Sequence, residues 1–92
     1  DYAEAVRWYR LAADQGDAKA QTILGVMYQL GEGVLQDNVT AHMWYNIGAA
    51  NGNELGGTNR DNIAEGMTSS DISKAQQMAR DCMGSGYQNC GY

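Results

Sequence analysis

Two segments of the chain, 36 residues apart, share one pattern, and this internal repeat constrains the fold more than any other feature. The segments are DYAEAVRWYRLAADQGD (residues 1–17) and DNVTAHMWYNIGAANGN (residues 37–53). Each carries a Trp-Tyr pair, then alanine, then a closing glycine. A period in the mid-thirties is typical of one helix–turn–helix unit of a solenoid. The repeat therefore predicts helical hairpins stacked on one another.

The composition favours helices separated by glycine turns. The 92 residues include no proline and 12 glycines, and alanine supplies much of the apolar content. Apolar residues recur at helical spacing in five segments, with Asp17, Asp37 or Asn38, and Thr68 as N-caps. Gly56 and the glycine after it weaken the start of the fourth segment. The predicted helices span about residues 2–15, 18–30, 39–51, 54–65 and 69–83.

Glycines mark the corner between the second and third helices. Gly31 is predicted to end one helix in a left-handed turn, and Gly33 to permit a tight reversal. Val34 and Leu35 would then fold back onto the helix pair. A phosphate-binding loop is the alternative, but it would need a preceding strand, and the GEGV segment brings its own negative charge. Gly25, inside a helix, predicts close approach of a neighbouring helix backbone.

The net charge of −5 argues against nucleic acid and anionic membranes as partners. The six basic residues are scattered rather than clustered. No apolar run approaches the roughly 20 residues of a membrane-spanning helix. Because the sequence begins inside a predicted helix, we expect it to be a fragment of a larger repeat protein.

Residues 24–53, LGVMYQLGEGVLQDNVTAHMWYNIGAANGN, resemble the Sel-one-like repeat (SLR) family, a branch of the tetratricopeptide-like helical solenoids. Residues 53–83 depart from the pattern. Arg60 stands where the apolar Leu24 stands one repeat earlier, and Asp61 stands where Gly25 stands. The matching positions are Ala18, Ala20, Gln21, Leu24, Gly25, Tyr28, Gly31, Gly33, Val34, Asp37, Ala41, Trp44, Tyr45, Ala49 and Gly52.

The resemblance implies a bacterial, all-α, right-handed α/α solenoid of helix-turn-helix repeats, with five helices in about two and a half units. The chain would form one domain. Residues 1–17 would be the second helix of a truncated repeat, and residues 18–52 a complete repeat. Residues 53–83 would be a degenerate C-terminal repeat, followed by a tail at residues 84–92.

Cys82 and Cys90 lie eight residues apart, and the glycines between them would let the tail turn back onto the fifth helix. They could form a disulfide or remain two free thiols. Paired cysteines of exported SLR proteins favour the disulfide and hence a periplasmic or cell-envelope location; free thiols would fit the cytoplasm. A zinc site would need more ligands, and His42 is far away in sequence. We expect no metal and no cofactor.

No residue of the sequence suggests catalysis. His42, the only histidine, has no convincing acid–base partner and is predicted to be a partly exposed residue on a helix surface. The acidic residues form no catalytic pair. The two aromatic pairs, Trp8–Tyr9 and Trp44–Tyr45, could stack a ligand, but their recurrence at the repeat period favours packing of most of these rings between helices, with room for one ring of each pair to reach the surface.

The resemblance implies a non-catalytic scaffold or adaptor that binds a protein or peptide partner on its concave face. Ile23 and Val26 are apolar residues at variable positions there, although they could instead contact a preceding helix. Self-association is a further possibility. The alternatives are an envelope hydrolase and a purely structural spacer. The predicted partner-binding residues are Lys19, Thr22, Ile23, Val26, Gln29, Asn59 and Asn62.

Overall fold

The computed structural model describes residues 1–92 as five α-helices with no strand, which confirms the predicted all-α class. The observed ends lie within one residue of the predicted ones, except at the end of the first helix, which closes in a turn two residues early. The helices are α1 (Tyr2–Ala13), α2 (Ala18–Leu30), α3 (Asn38–Ala50), α4 (Glu54–Ala64) and α5 (Ser69–Gly84).

Every helix begins at a side chain that accepts a hydrogen bond from the backbone of its first turn. Such N-caps satisfy N–H groups that have no partner within the helix. The Thr68 hydroxyl accepts from the backbone N–H of Asp71 at 3.1 Å, as expected of the predicted N-cap. The five N-caps are Asp1, Asp17, Asp37, Asn53 and Thr68.

The first four helices pack in chain order, whereas the last does not follow them. α2 packs on both α1 and α3, and α3 packs on α4. α5 packs on α3 and makes little contact with α4. It buries Ala75, Ala79 and Cys82. The main core therefore lies among α1, α2, α3 and α5, and a smaller cluster joins α3 to α4 through Tyr45 and Ile63.

The glycine corner forms as predicted, with one difference. Gly31 and Gly33 have φ of 71° and 75°, in the left-handed region that glycine adopts without strain. Gly33 also lies against the backbone of Tyr2, so a side chain there would overlap α1. Val34 packs on the core, but Leu35 is 89% exposed, so the prediction was wrong for Leu35. The chain bends at residues 32–34, so that Val34 packs inward while Leu35 beside it faces solvent.

The tail folds back and connects α1 to α3. The Sγ atoms of Cys82 and Cys90 lie at disulfide distance, with their Cα atoms 4.4 Å apart. Beyond them the Tyr92 ring stacks on Trp44 of α3, with centroids 5.9 Å apart, and lies 4.3 Å from the guanidinium carbon of Arg10 on α1. The Tyr92 hydroxyl donates a hydrogen bond to Asp14. α1 and α3 otherwise make little direct contact.

Candidate interaction surfaces

The predicted partner-binding residues of α2 and α4 are accessible, with one exception. Lys19, Gln29 and Asn62 are exposed, and Ile23, Val26 and Asn59 are half-buried. The exception is Thr22, which is buried because α2 meets α3 and α4 at this position. Its hydroxyl donates to the carbonyl of Ala18 at 3.0 Å. Thr22 is therefore part of a helix junction and not of an accessible surface.

Lys19 and Ile23 line a groove of about 270 Å³ between α1 and α2, here called the α1–α2 groove. α1 contributes Tyr9 and Ala12 to this groove, which the sequence analysis did not assign to any surface. The repeat offset could have identified these two residues, because their equivalents 36 positions later, Tyr45 and Gly48, pack against α2. The remaining lining residues are Asp17 and Ala20.

Tyr45 is the repeat equivalent of Tyr9, and the two have different surroundings. Tyr45 is buried against Gly25, and its hydroxyl donates a hydrogen bond to Gln29 Oε1 at 2.6 Å. Burial raises the pKa of Tyr45 to about 12. Tyr9 is half-buried, and its hydroxyl has no hydrogen-bond partner in the protein. The groove therefore contains an aromatic ring with an unused polar group.

The outer side of α1 carries a second apolar surface. Trp8 is 65% exposed, and Leu11 beside it is also exposed. Trp44, the repeat equivalent of Trp8, is fully buried under α5 and the tail. Packing between helices, which was expected for most of the four rings, therefore holds for Trp44 and Tyr45 but not for Trp8. No helix covers it as α5 covers Trp44.

His42 is 2% exposed, so the prediction of a surface residue was also wrong. Its pKa is lowered, first by burial and then by the nearby charge of Arg60, while Asp61 acts in the opposite direction. Its Nδ1 atom has no hydrogen-bond partner. The burial follows from the repeat: position 42 corresponds to Val6, which is also buried.

Arg60 replaces the buried Leu24 of the previous repeat and is held by polar neighbours. Its guanidinium donates to Asn46 Oδ1 at 3.0 Å and forms an ion pair with Asp61 at 3.1 Å. A cation beside His42 opposes protonation of the imidazole. Arg60, Asn46 and Asp61 thus form a polar cluster beside the buried His42.

No group of three or more His, Cys, Asp or Glu side chains is arranged to hold a metal ion. None of the five helices combines the length and apolar character that crossing a bilayer requires.

Comparison with known protein families agrees with the repeat boundaries. The family model of the Sel1 repeat matches residues 1–17 and residues 18–53. The matched part therefore contains α1, α2 and α3. No curated protein sequence is significantly similar to the chain.

Proposed function

Since this chain belongs to the Sel1 repeat family, whose repeats are generally protein–protein interaction modules, we propose that it is a non-catalytic scaffold or adaptor binding a protein or peptide partner. The fold supports this role because stacked hairpins expose one side of each helix along a continuous surface. The family is typically non-catalytic.

The observation that carries the proposal is the side of α2 that no other helix covers. Lys19 is exposed there and Ile23 and Val26 are half-buried, while the exposed Gln29 lies at the edge of this side, where it also pairs with Tyr45 of α3. An apolar centre with polar residues at its edges is the usual anatomy of a protein interface. Asn62 of α4, the repeat equivalent of Val26, extends this side with an exposed amide. We propose these residues, without Thr22, as the partner surface.

Site-specific photo-crosslinking tests this surface. A photoreactive amino acid replaces Lys19 or Asn62 in the protein expressed in its native cells, and crosslinked partners are identified by mass spectrometry. Gln76, an exposed residue of α5, carries the same group in a matched control. We expect the same partner from Lys19 and Asn62 and none from Gln76.

Two results would contradict the proposal. One is crosslinking from Gln76 to the same partner with no adduct from α2 or α4. The other is turnover of envelope substrates by the purified chain that disappears in the His42→Gln variant, which would favour the hydrolase alternative.

We also propose that Cys82 and Cys90 are oxidised in the cell and that the protein resides in the periplasm or cell envelope. The support is their separation at disulfide distance, which is compatible with an oxidising compartment. Thiol alkylation of protein trapped directly from cells, before and after reduction, measures the bond. We expect two added labels only after reduction. Labelling of both cysteines without reduction would contradict this location.

A further inference from the structure

A small pocket, here called the α5–tail pocket, lies between α3, α5 and the tail. Its volume is about 120 Å³, and its walls contain no residue of α1 or α2. The pocket therefore does not depend on α1 or on the helix that a repeat would place before it. The residues that line it are Met43, Met78, Asp81, Asn89, Cys90 and Gly91.

The floor of the α5–tail pocket is apolar, and its mouth is open to solvent. Met43 and Cys90 are buried, and Met78 is half-buried. Asn89 and Gly91 are exposed, and a Cβ added to Gly91 would meet no atom within 4 Å. The volume of about 120 Å³ is well below the roughly 300–1,000 Å³ of sites that enclose a whole small molecule. The pocket therefore has room for one side chain that enters from solvent.

Asp81, an exposed residue that lines the pocket, has a carboxylate without an ion pair. Its Oδ1 atom accepts a hydrogen bond from Gln77 at 2.9 Å. The two basic residues of α5, Lys74 and Arg80, form no ion pair with it. On the tail, the carbonyl groups of residues 89–91 accept no backbone hydrogen bond. The pocket thus combines an apolar floor with one uncompensated negative charge and nearby hydrogen-bond acceptors.

We propose that the α5–tail pocket binds the side chain of an arginine of a protein or peptide partner. The aliphatic part of this arginine lies on Met43 and Met78, and its guanidinium pairs with the carboxylate of Asp81. The inference goes beyond the proposed function, because it adds a second contact site formed by α3, α5 and the tail. It relies on the proposed disulfide only for the position of the tail.

Charge and hydrogen-bonding capacity both favour arginine as the occupant. An ion pair surrounded by water contributes little to binding, but the apolar floor excludes water from one side of this pair. A guanidinium presents five donors in a planar fork and is more weakly hydrated than the ammonium of lysine. It can therefore donate to the carboxylate and to a neighbouring carbonyl while its stem covers the methionines. The net charge of −5 also favours the approach of a basic partner.

Methyl-detected NMR of the oxidised protein measures binding at the pocket itself. The ligand is N-acetyl-arginine N-methylamide, a blocked arginine that imitates a residue within a polypeptide, and the readouts are the ε-methyl signals of Met43 and Met78. We expect both signals to shift together and to saturate with a Kd of about 1–10 mM. The blocked citrulline derivative has nearly the same shape without the charge and should bind about tenfold more weakly. The blocked lysine derivative should bind about threefold more weakly.

Variants of the protein locate the arginine. Asp81→Asn keeps the shape of the side chain and should weaken binding about tenfold. Asp71→Asn is the matched control, because it removes the same charge from an exposed position in the first turn of α5, and it should leave binding unchanged. Met78→Ala should weaken binding a few-fold, as read from the Met43 signal. Circular dichroism checks that each variant is folded.

Three outcomes would overturn the inference: equal binding of the arginine and citrulline derivatives, binding that Asp81→Asn leaves unchanged, or the same loss in Asp71→Asn. Equal binding of the lysine derivative would overturn the choice of arginine. Tighter binding of free arginine than of the blocked derivative would overturn the assignment to a polypeptide partner. If the pocket fails these tests while Lys19 and Asn62 still crosslink to a partner, the proposed function stands and only the arginine pocket is wrong.

Discussion

At the scale of single residues, Gly25 and Gly57 are both glycines within helices, but only Gly25 is required by packing. A Cβ on Gly25 would overlap the Tyr45 ring, whereas a Cβ on Gly57 would meet Ala49 at an ordinary 3.7 Å. We expect Gly25→Ala to lower the free energy of unfolding by about 1–3 kcal/mol. Gly57→Ala should raise it by about 0.5–1 kcal/mol through helix propensity. Urea denaturation measures both, and equal effects of the two changes would contradict this account.

His42 makes stability depend on pH in a defined direction. Its pKa in the folded protein lies below the usual value of 6.5, so the unfolded chain binds the proton more readily. The contribution of the neutral imidazole is complete above pH 6.5 and is lost as the pH falls from there towards the lowered pKa. Denaturation between pH 5.5 and 7.5 should show this loss, and the His42→Val variant should not. Identical pH profiles of the two proteins would exclude the effect, because the chain has no other histidine.

The sequence predicted a close neighbour at Gly25, although this neighbour is the Tyr45 ring and not the helix backbone that was expected, and it missed the burial of His42. A glycine within a helix has a local cost that only a close neighbour explains, so Gly25 carries its own signal. The burial of His42 depends on residues of α4 that the local helical pattern does not include. The repeat offset would have indicated it, since the equivalent Val6 is apolar. A buried histidine beside Arg60 is an exception to ordinary patterning.

At the scale of helices, repeat-equivalent residues contribute unequally to the free energy of unfolding because different helices lie next to them. Trp44 is covered by α5 and the tail, whereas Trp8 is mainly exposed. We expect Trp44→Ala to lower the free energy of unfolding by about 3–5 kcal/mol. Trp8→Ala should change it by no more than about 0.5 kcal/mol. Urea denaturation followed by circular dichroism compares them, and similar losses would show that Trp8 is also packed.

The link between α5 and the tail contributes stability that can be measured separately. Replacing Cys82 and Cys90 by serine should lower the free energy of unfolding by about 2–3 kcal/mol in the loop-entropy description. The change should also alter the fluorescence of Trp44, because the Tyr92 ring stacked on it would become mobile. Tyr92→Ala is the matched control, since it removes the stack and leaves the cysteines in place. Equal stability of the oxidised protein and the serine variant would contradict this prediction.

At the scale of the whole molecule, the sequence predicted the order of the helices but not the position of the last one. The helical spacing of apolar residues, the N-caps and the glycines are signals that extend over only a few residues, and they located all five helices. The packing of α5 on α3 has no local signal. It depends on Ala75 and Ala79 meeting a face of α3 that the sequence alone did not distinguish from the exposed face of α1. The α1–α2 groove was not predicted for a similar reason, since the accessible position of Tyr9 is noticed only when it is compared with the buried Tyr45.

The bridge from Tyr92 to Arg10 and Asp14 affects how the molecule unfolds. Repeat arrays usually behave as one-dimensional chains in which each unit couples to its nearest neighbours and the ends fray first. Here a hydrogen bond between Tyr92 and Asp14, which are 78 residues apart in sequence, holds the last segment against the end of the first helix. This long-range closure should suppress fraying of the first helix. Amide hydrogen exchange of the α1 backbone should therefore accelerate in the Tyr92→Ala protein. In a linear array, by contrast, a change at the last residue would leave the first helix unaffected.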